Sequence, residues 1–122
     1  MNLNTKISDI NFVFFGTSEL SVKVLDILIK NGYTPDLVVT VPDRPQGRKM
    51  IMTPPPVKVF AEKHNLKIDQ PSSLSTYNLP PITYHLFLVA SYGKIIPKSV
   101  LDLPKHGTLN VHPSLLPKFR GS

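Results

Sequence analysis

Ile10-Asn11-Phe12-Val13-Phe14-Phe15-Gly16-Thr17-Ser18-Glu19-Leu20 is the stretch that decides the fold. A short apolar run stopped by a glycine predicts a strand buried on both faces, as parallel sheets require, and here it is expected to be the central one. Directly after it, Ser18 offers a helix N-cap and Glu19 sits where the helix dipole favours an acid. Leu20, Val24, Leu25, Ile27 and Leu28 then form an apolar stripe at helical spacing. Lys30, Asn31 and Gly32 close that helix, glycine being suited to the left-handed turn that follows. Asp36 to Val41 (Asp-Leu-Val-Val-Thr-Val) predicts a second, β-branched strand. Strand, helix and strand in this order imply a right-handed crossover and a parallel sheet.

Working outward, residues 42 to 56 break the pattern, because five of the thirteen prolines fall there (Pro42, Pro45, Pro54, Pro55, Pro56) with Gly47. No regular element is expected in that segment, and a structureless loop of such length in a small domain is usually functional or disordered. Val57 to Asn65 has helical spacing through Val57, Val59, Phe60 and Ala61, with Pro56 suited to the first turn. Lys67 to Asp69 predicts a short strand, and Ser72 to His85 loop with at most one helical turn. Leu86 to Ala90 (Leu-Phe-Leu-Val-Ala) is a further buried strand, Pro97 to Leu103 a short helix, and Thr108 to Val111 a final strand. The fold class expected is α/β, a Rossmann-like open, mainly parallel sheet with flanking helices. Because the last strand is followed by loop and no covering helix, the sheet is expected to be truncated at its C-terminal end, the front of something longer.

Composition narrows the function classes. At 122 residues and 41% hydrophobic content the chain fits one globular domain and is too apolar for intrinsic disorder. No run approaches the roughly 20 apolar residues of a bilayer span, which predicts a soluble cytoplasmic protein with no membrane partner. The absence of cysteine excludes disulfides, thiolate metal sites and a cysteine nucleophile. The net charge of +6 is uneven: residues 44 to 63 hold Arg44, Arg48, Lys49, Lys58 and Lys63 against Glu62, and residues 94 to 122 hold another five cations against Asp102. Two such blocks suit a polyanion such as nucleic acid, although a solvated basic face is the commoner origin of such clusters.

In a parallel sheet the active site lies beyond the carboxyl ends of the strands, near the point where strand order reverses. Gly16-Thr17-Ser18, Ser91-Tyr92-Gly93 and Asn110-Val111-His112 fall at such ends. Gly16 stands alone where a dinucleotide fingerprint needs three glycines, so NAD is not expected. Asn110 and His112 are two apart and point the same way if the strand persists. An amide donor beside an imidazole suits acyl chemistry: the imidazole moves protons near pH 7 and the amide donates to a developing oxyanion. For an isolated Asn-x-His, polar residues satisfying a strand end are the commoner reading. His64, His85 and His106 have no metal-cluster spacing, and Ser114 lacks the elbow of a serine nucleophile. Tyr92 and Phe119 suit either stacking on a planar ligand or packing.

Several segments taken together carry a resemblance: Val-Phe-Phe-Gly-Thr-Ser-Glu (13 to 19), Val-Pro-Asp-Arg-Pro-Gln-Gly-Arg (41 to 48), Pro-Pro-Val-Lys (55 to 58), Gln-Pro (70 to 71), Ala-Ser-Tyr-Gly-Lys-Ile-Ile-Pro (90 to 97) and Asn-Val-His-Pro-Ser-Leu-Leu-Pro-Lys-Phe-Arg-Gly (110 to 121). From about Phe12 to Gly121 the chain resembles the methionyl-tRNA formyltransferases, within the wider 10-formyltetrahydrofolate-dependent formyltransferases. The resemblance implies formyl transfer from N10 of 10-formyltetrahydrofolate, a cosubstrate, to the α-amine of methionyl initiator tRNA, with no metal and no covalent intermediate. It places catalytic roles at Asn110 and His112. It gives Ser114, Leu115, Leu116 and Pro117 to the folate side, with Val89, Tyr92 and Gly93 in the wall that holds the pterin. It puts Arg44, Gly47, Arg48 and Lys49 in a loop that enters the acceptor-stem region, Arg48 matching the key arginine. Met50, Ile51 and Met52 in that loop either wedge against an opened base pair or are partly buried against the domain.

The departures from the family pattern also set expectations. His85 stands where relatives commonly have Asp, and the segment from Ser75 to His85 is shorter than the usual helix there. The family's catalytic Asp lies downstream of Gly121. Residues 1 to 122 are therefore expected to form an incomplete N-terminal formyltransferase domain, without the C-terminal tRNA-binding domain, monomeric and with little or no transfer activity as they stand. The alternatives are a non-catalytic folate- or RNA-binding remnant and a sugar or nucleotide N-formyltransferase.

Overall fold

A computed structural model of the chain describes residues 10–75 and 84–112. Along them run β1 (Phe12–Gly16), α1 (Glu19–Lys30), β2 (Leu37–Val39), β3 (Arg44–Gln46), β4 (Ile51–Thr53), α2 (Pro56–Lys63), β5 (Ile68–Asp69), β6 (Leu86–Ala90), α3 (Lys98–Leu101) and β7 (Thr108–Asn110). Five strands make one sheet in the order β5-β2-β1-β6-β7, with β1 at its centre and every pairing parallel. The expected α/β architecture is therefore the one found.

Alternation along β1 builds both faces of the core. Phe12 and Phe14 pack with Val38, Leu88 and Ala90 against Val24 and Leu25 of α1 and Val57 and Ala61 of α2. Val13 and Phe15 pack on the opposite face with Leu37, Val39, Phe87, Val89 and Val100. Phe14, Phe15 and Phe87 are fully buried, and each such side chain contributes about 1.5–3 kcal/mol of transfer free energy.

α1 starts as the sequence predicts, with Ser18 as N-cap in a capping box and Glu19 in the first turn, and it ends before Gly32 at a φ of +88°. Its buried face differs from the predicted stripe. Ser21, Val24 and Leu25 are buried with Leu28 partly so, the i, i+3, i+4, i+7 set, whereas Ile27 lies off that face and is 50% exposed. In α2 it is likewise Val57 and Ala61 that are buried, and Val59 points outward. The strand expected over Thr108 to Val111 is ordered as Thr108–Asn110, and the Val111 N–H still donates to the Val89 carbonyl at 2.7 Å.

The larger correction concerns residues 42 to 56. Instead of an irregular loop, β3 and β4 form an antiparallel hairpin with Arg44 opposite Thr53, Pro45 opposite Met52 and Gln46 opposite Ile51. Proline is tolerated at Pro45 because in a two-stranded ribbon every second amide points away from the partner strand. Gly47 at φ +73° and Met50 at φ 51° supply the left-handed residues of the connecting turn, closed by the Met50 N–H donating to the Gly47 carbonyl. Of the loop expected over Ser72 to His85, residues 76–83 lie outside the described residues.

Candidate active site

The sheet changes direction between β1 and β6: from β1 the chain crosses to β2 on one side, while β6 and β7 lie on the other. A crevice therefore opens at the carboxyl ends of β1 and β6, and a serine network lines its floor. The Thr17 N–H donates to the Ser91 carbonyl (3.1 Å), and Ser18 Oγ donates to Ser91 Oγ (3.0 Å). Ser21, fully buried, accepts from the Thr17 and Ser18 N–H groups (3.1 and 3.2 Å) and directs its hydroxyl at the carbonyls of Ala90 and Ser91. The network explains why a serine rather than an aliphatic residue fills the centre of the buried face of α1. Ser91 itself has φ 57°, a left-handed conformation that turns the chain sharply out of β6. Gly93 then returns to β1, its N–H donating to Thr17 Oγ1 at 2.9 Å.

Beside this crevice a cavity of about 690 Å³ contains Asn110 and His112 in its lining, together with Val89, Tyr92, Ile96 and Leu101. The side chains of Asn110 and Val89 share a face because they are register partners in a parallel pair. Tyr92 packs edge-on against Phe15 at 5.8 Å, and its hydroxyl is buried with no hydrogen-bond partner among the described residues. Burial pushes the Tyr92 phenol above its ordinary pKa. An apolar wall with two polar side chains at one end suits a flat heteroaromatic ligand, so the residues present fit a folate-type cosubstrate. Gly93 lies at the crevice rather than in the lining of that cavity, and a Cβ there would stand 3.3 Å from both Thr17 Oγ1 and Val41 Cγ1. Ser114, Leu115, Leu116, Pro117 and Phe119 lie outside the described residues.

The four residues expected to meet RNA sit on the hairpin, and all are exposed: Arg44 in β3, and Gly47, Arg48 and Lys49 in the turn. Met50, Ile51 and Met52 are each at least 60% exposed, so partial burial against the domain does not hold. A second cavity of about 420 Å³ at the base of the hairpin joins Thr17, Val41 and Pro42 to Arg44, Gln46 and Pro54 to Pro56. Thr17 thus borders both the crevice and the hairpin base, which places hairpin and cavity along one edge of the sheet.

Sequence reasoning passed over the polar contacts at the hairpin stem. Asp43 accepts from Lys58 Nζ at 3.1 and 3.2 Å and from Gln70 Nε2 at 2.7 Å. All three residues occur in the segments that carry the family resemblance, yet separations of 15 and 27 positions gave no periodicity to reveal their contact. The Gln70 and Lys58 hydrogen bonds hold the Asp43 carboxyl below its ordinary range. A carboxyl with a lowered folded pKa adds stability that is complete above its unfolded value near ~3.9 and is lost as pH falls through the folded value. Asp43→Asn is accordingly expected to lower the melting temperature at pH 7 and to converge on the parent well below pH ~4. A deficit independent of pH in thermal unfolding contradicts this. Ser91, at one of the strand ends expected to carry the site, and Lys94 also line the Asn110 cavity, as does Asp102, which was not singled out and is paired with Lys98 Nζ at 2.6 Å. His85, the departure from the family pattern, accepts from the Asn11 N–H through Nδ1 at 3.1 Å and so fastens the start of β1.

The family model described as formyl transferase matches residues 10–122. The chain is 50% identical over 113 residues to the methionyl-tRNA formyltransferase of Halalkalibacterium halodurans, covering 89% of this chain and 36% of that protein. It is 49% identical over 116 residues to that of Bacillus velezensis (89% and 36%), and 46% identical over 114 residues to that of Thermotoga maritima (90% and 36%). The chain thus spans 36% of the length of these curated relatives. The parallel sheet, the cavity at its carboxyl edge and a match running through the entire described region agree, and the chain belongs to the formyl transferase family.

Proposed function

We propose that these residues are the N-terminal part of a monomeric, cytoplasmic formyltransferase that takes a formyl group from 10-formyltetrahydrofolate and delivers it to the α-amine of methionyl initiator tRNA. The observation that carries the reading is the convergence of Asn110 and His112 in one cavity whose sheet edge also bears the basic hairpin. When bound, the folate supplies a formyl carbon on its N10 nitrogen. The Asn110 amide donates to the oxygen that becomes negative as the amine adds to that carbon. His112 shares the oxyanion and carries a proton from the attacking amine towards the leaving nitrogen. Val89 and Tyr92 form the wall that excludes water, and Gly93 keeps the backbone beside it close to β1. Ser114, Leu115, Leu116 and Pro117 are assigned to the folate side through the family motif alone.

The test is transfer of labelled formyl to charged initiator tRNA by the 122-residue chain and by a polypeptide extended to the length of its relatives. Formylation by the extended protein is expected, with little or none by the 122 residues, which lack the carboxylate that the resemblance places beyond Gly121. Activity in neither favours a binding remnant, and transfer to a nucleotide sugar in place of tRNA overturns the substrate assignment.

Arg48 sits in the hairpin turn, and an arginine there pairs with phosphate or reads a base edge in a way lysine does not. Arg48→Ala in the extended protein is expected to raise KM for methionyl-tRNA about tenfold or more, with donor KM unchanged. Lys49→Ala is expected mainly to reduce the salt dependence of tRNA binding by about one unit of slope. Equal tRNA kinetics for parent and Arg48→Ala remove the hairpin from the acceptor site.

A further inference from the structure

We propose that Asp43, Lys58 and Gln70 form a clamp that sets the direction of the β3–β4 hairpin, making the three of them positioning residues for the acceptor RNA. This rests on the reading of the hairpin as an RNA-contacting element. The three residues come from separate parts of the fold: the link between β2 and β3, the first turn of α2, and the residue after β5. The Asp43 carboxylate takes two bonds from Lys58 Nζ and one from Gln70 Nε2, and the same Gln70 amide donates to the Val41 carbonyl at 3.1 Å. One side chain therefore holds both the backbone leaving β2 and the acid that leads into β3. Lys58 fixes the other strand of the hairpin, since β4 runs through Pro54 and Pro55 directly into α2.

Past the clamp the hairpin receives little further guidance. Residues 44 to 53 are all exposed, and β3 and β4 pair with each other rather than with the main sheet. The tip at Gly47 to Lys49 stands roughly 13 Å from Asp43 at ~3.3 Å per residue, so a swing of about 10° at the stem moves the tip by roughly 2 Å. Displacements of that size break bidentate arginine contacts and cost large factors when they misplace a substrate. With their charges partly sheltered, at side-chain exposures of 23% for Lys58 and 30% for Asp43, the pair is less screened than an open surface bridge. Its position at the stem, rather than at the tip, suits it to hold direction without meeting the ligand.

The experiment compares Asp43→Ala, Gln70→Ala, Lys58→Met and Lys58→Arg in the extended protein. The first three are expected to raise KM for methionyl-tRNA about tenfold with kcat and donor KM within twofold, and Lys58→Arg to stay near the parent. Arg48→Ala should cost several-fold less in the Asp43→Ala background than alone, because the arginine is already misdirected. Where Arg48→Ala alone raises KM for methionyl-tRNA, additive effects overturn the clamp in favour of a merely structural bridge, as does a donor KM that rises with the tRNA KM. Trypsin cleavage after Arg48 and Lys49 in the extended protein separates this from failure of the hairpin reading. Faster cleavage of Asp43→Ala supports the clamp even if Arg48→Ala leaves tRNA kinetics unchanged, a result that would remove the RNA role alone. Unchanged cleavage overturns the clamp itself.

Discussion

His112→Ala in the extended protein is expected to lower kcat by about 10²- to 10⁴-fold, the range for loss of a positioned general acid or base, while affinity for the formyl donor stays within a few fold. In barrier terms that is roughly 2.7 to 5.5 kcal/mol. The separation of the two parameters follows from position. His112 is an exposed residue at the end of the cavity formed with Asn110, whereas Val89, Tyr92, Ile96 and Leu101 provide the apolar wall. In the proposed mechanism, removing the imidazole therefore deletes the proton carrier and leaves the larger apolar surface of the cavity standing. Asn110→Ala is expected to cost about 10²- to 10³-fold through the lost oxyanion donor. The double variant should fall well short of the product of the two effects, since the proposed mechanism has both side chains act on one tetrahedral species. Single-turnover transfer measured beside equilibrium donor binding checks this. Near-normal turnover in His112→Ala removes its assigned role, and a parallel collapse of donor binding makes it a binding residue instead.

The framework that carries this site was legible because β1, β2 and β6 are buried on both faces and so read as uninterrupted apolar runs. Ser18, Glu19 and Gly32 marked the ends of α1 by local chemistry alone. What escaped was decided at a distance. The burial of Ser21 depends on the Ala90 and Ser91 carbonyls some 70 positions away, and no helical pattern reports an acceptor on another strand. The hairpin escaped because Pro45 and Gly47 read as breakers, while its register comes from a turn that needs left-handed residues at Gly47 and Met50. For the site, Asn-x-His carried little by its spacing, and it gained weight only beside the other family segments. The Asp43, Lys58 and Gln70 contacts could not be read at all, since each residue alone is an ordinary charged or polar surface type.

Gly16→Ala is expected to be among the most damaging single changes to the fold, and its reason is again the meeting of β1, α1 and β6. A Cβ at this position would stand 2.7 Å from Phe14 Cε1, 2.8 Å from Ser21 Cβ and 3.0 Å from the Ala90 carbonyl oxygen. None of these yields cheaply: the Phe14 ring is fully buried, Ser21 Cβ is fixed to α1, and the Ala90 oxygen is backbone already bonded to the Ser21 hydroxyl. Relief requires α1 to withdraw from the sheet or β6 to part from β1. Overpacking costs about 1–3 kcal/mol and occasionally more, and three simultaneous contacts put this case at the top of that range or above it. Against a total stability of roughly 5–15 kcal/mol, a fall in melting temperature of about 10 °C or more is expected. Gly107→Ala is the appropriate control, because its φ of +79° strains an alanine while nothing lies within 4 Å of the new methyl group. That substitution should cost only the ~1–2 kcal/mol of left-handed backbone strain. Thermal unfolding of both variants decides the matter, and a Gly16→Ala deficit no larger than that of Gly107→Ala overturns the packing argument. Because Ser21 also holds the turn at Ser91, the fraction of Gly16→Ala that folds should bind the formyl donor more weakly.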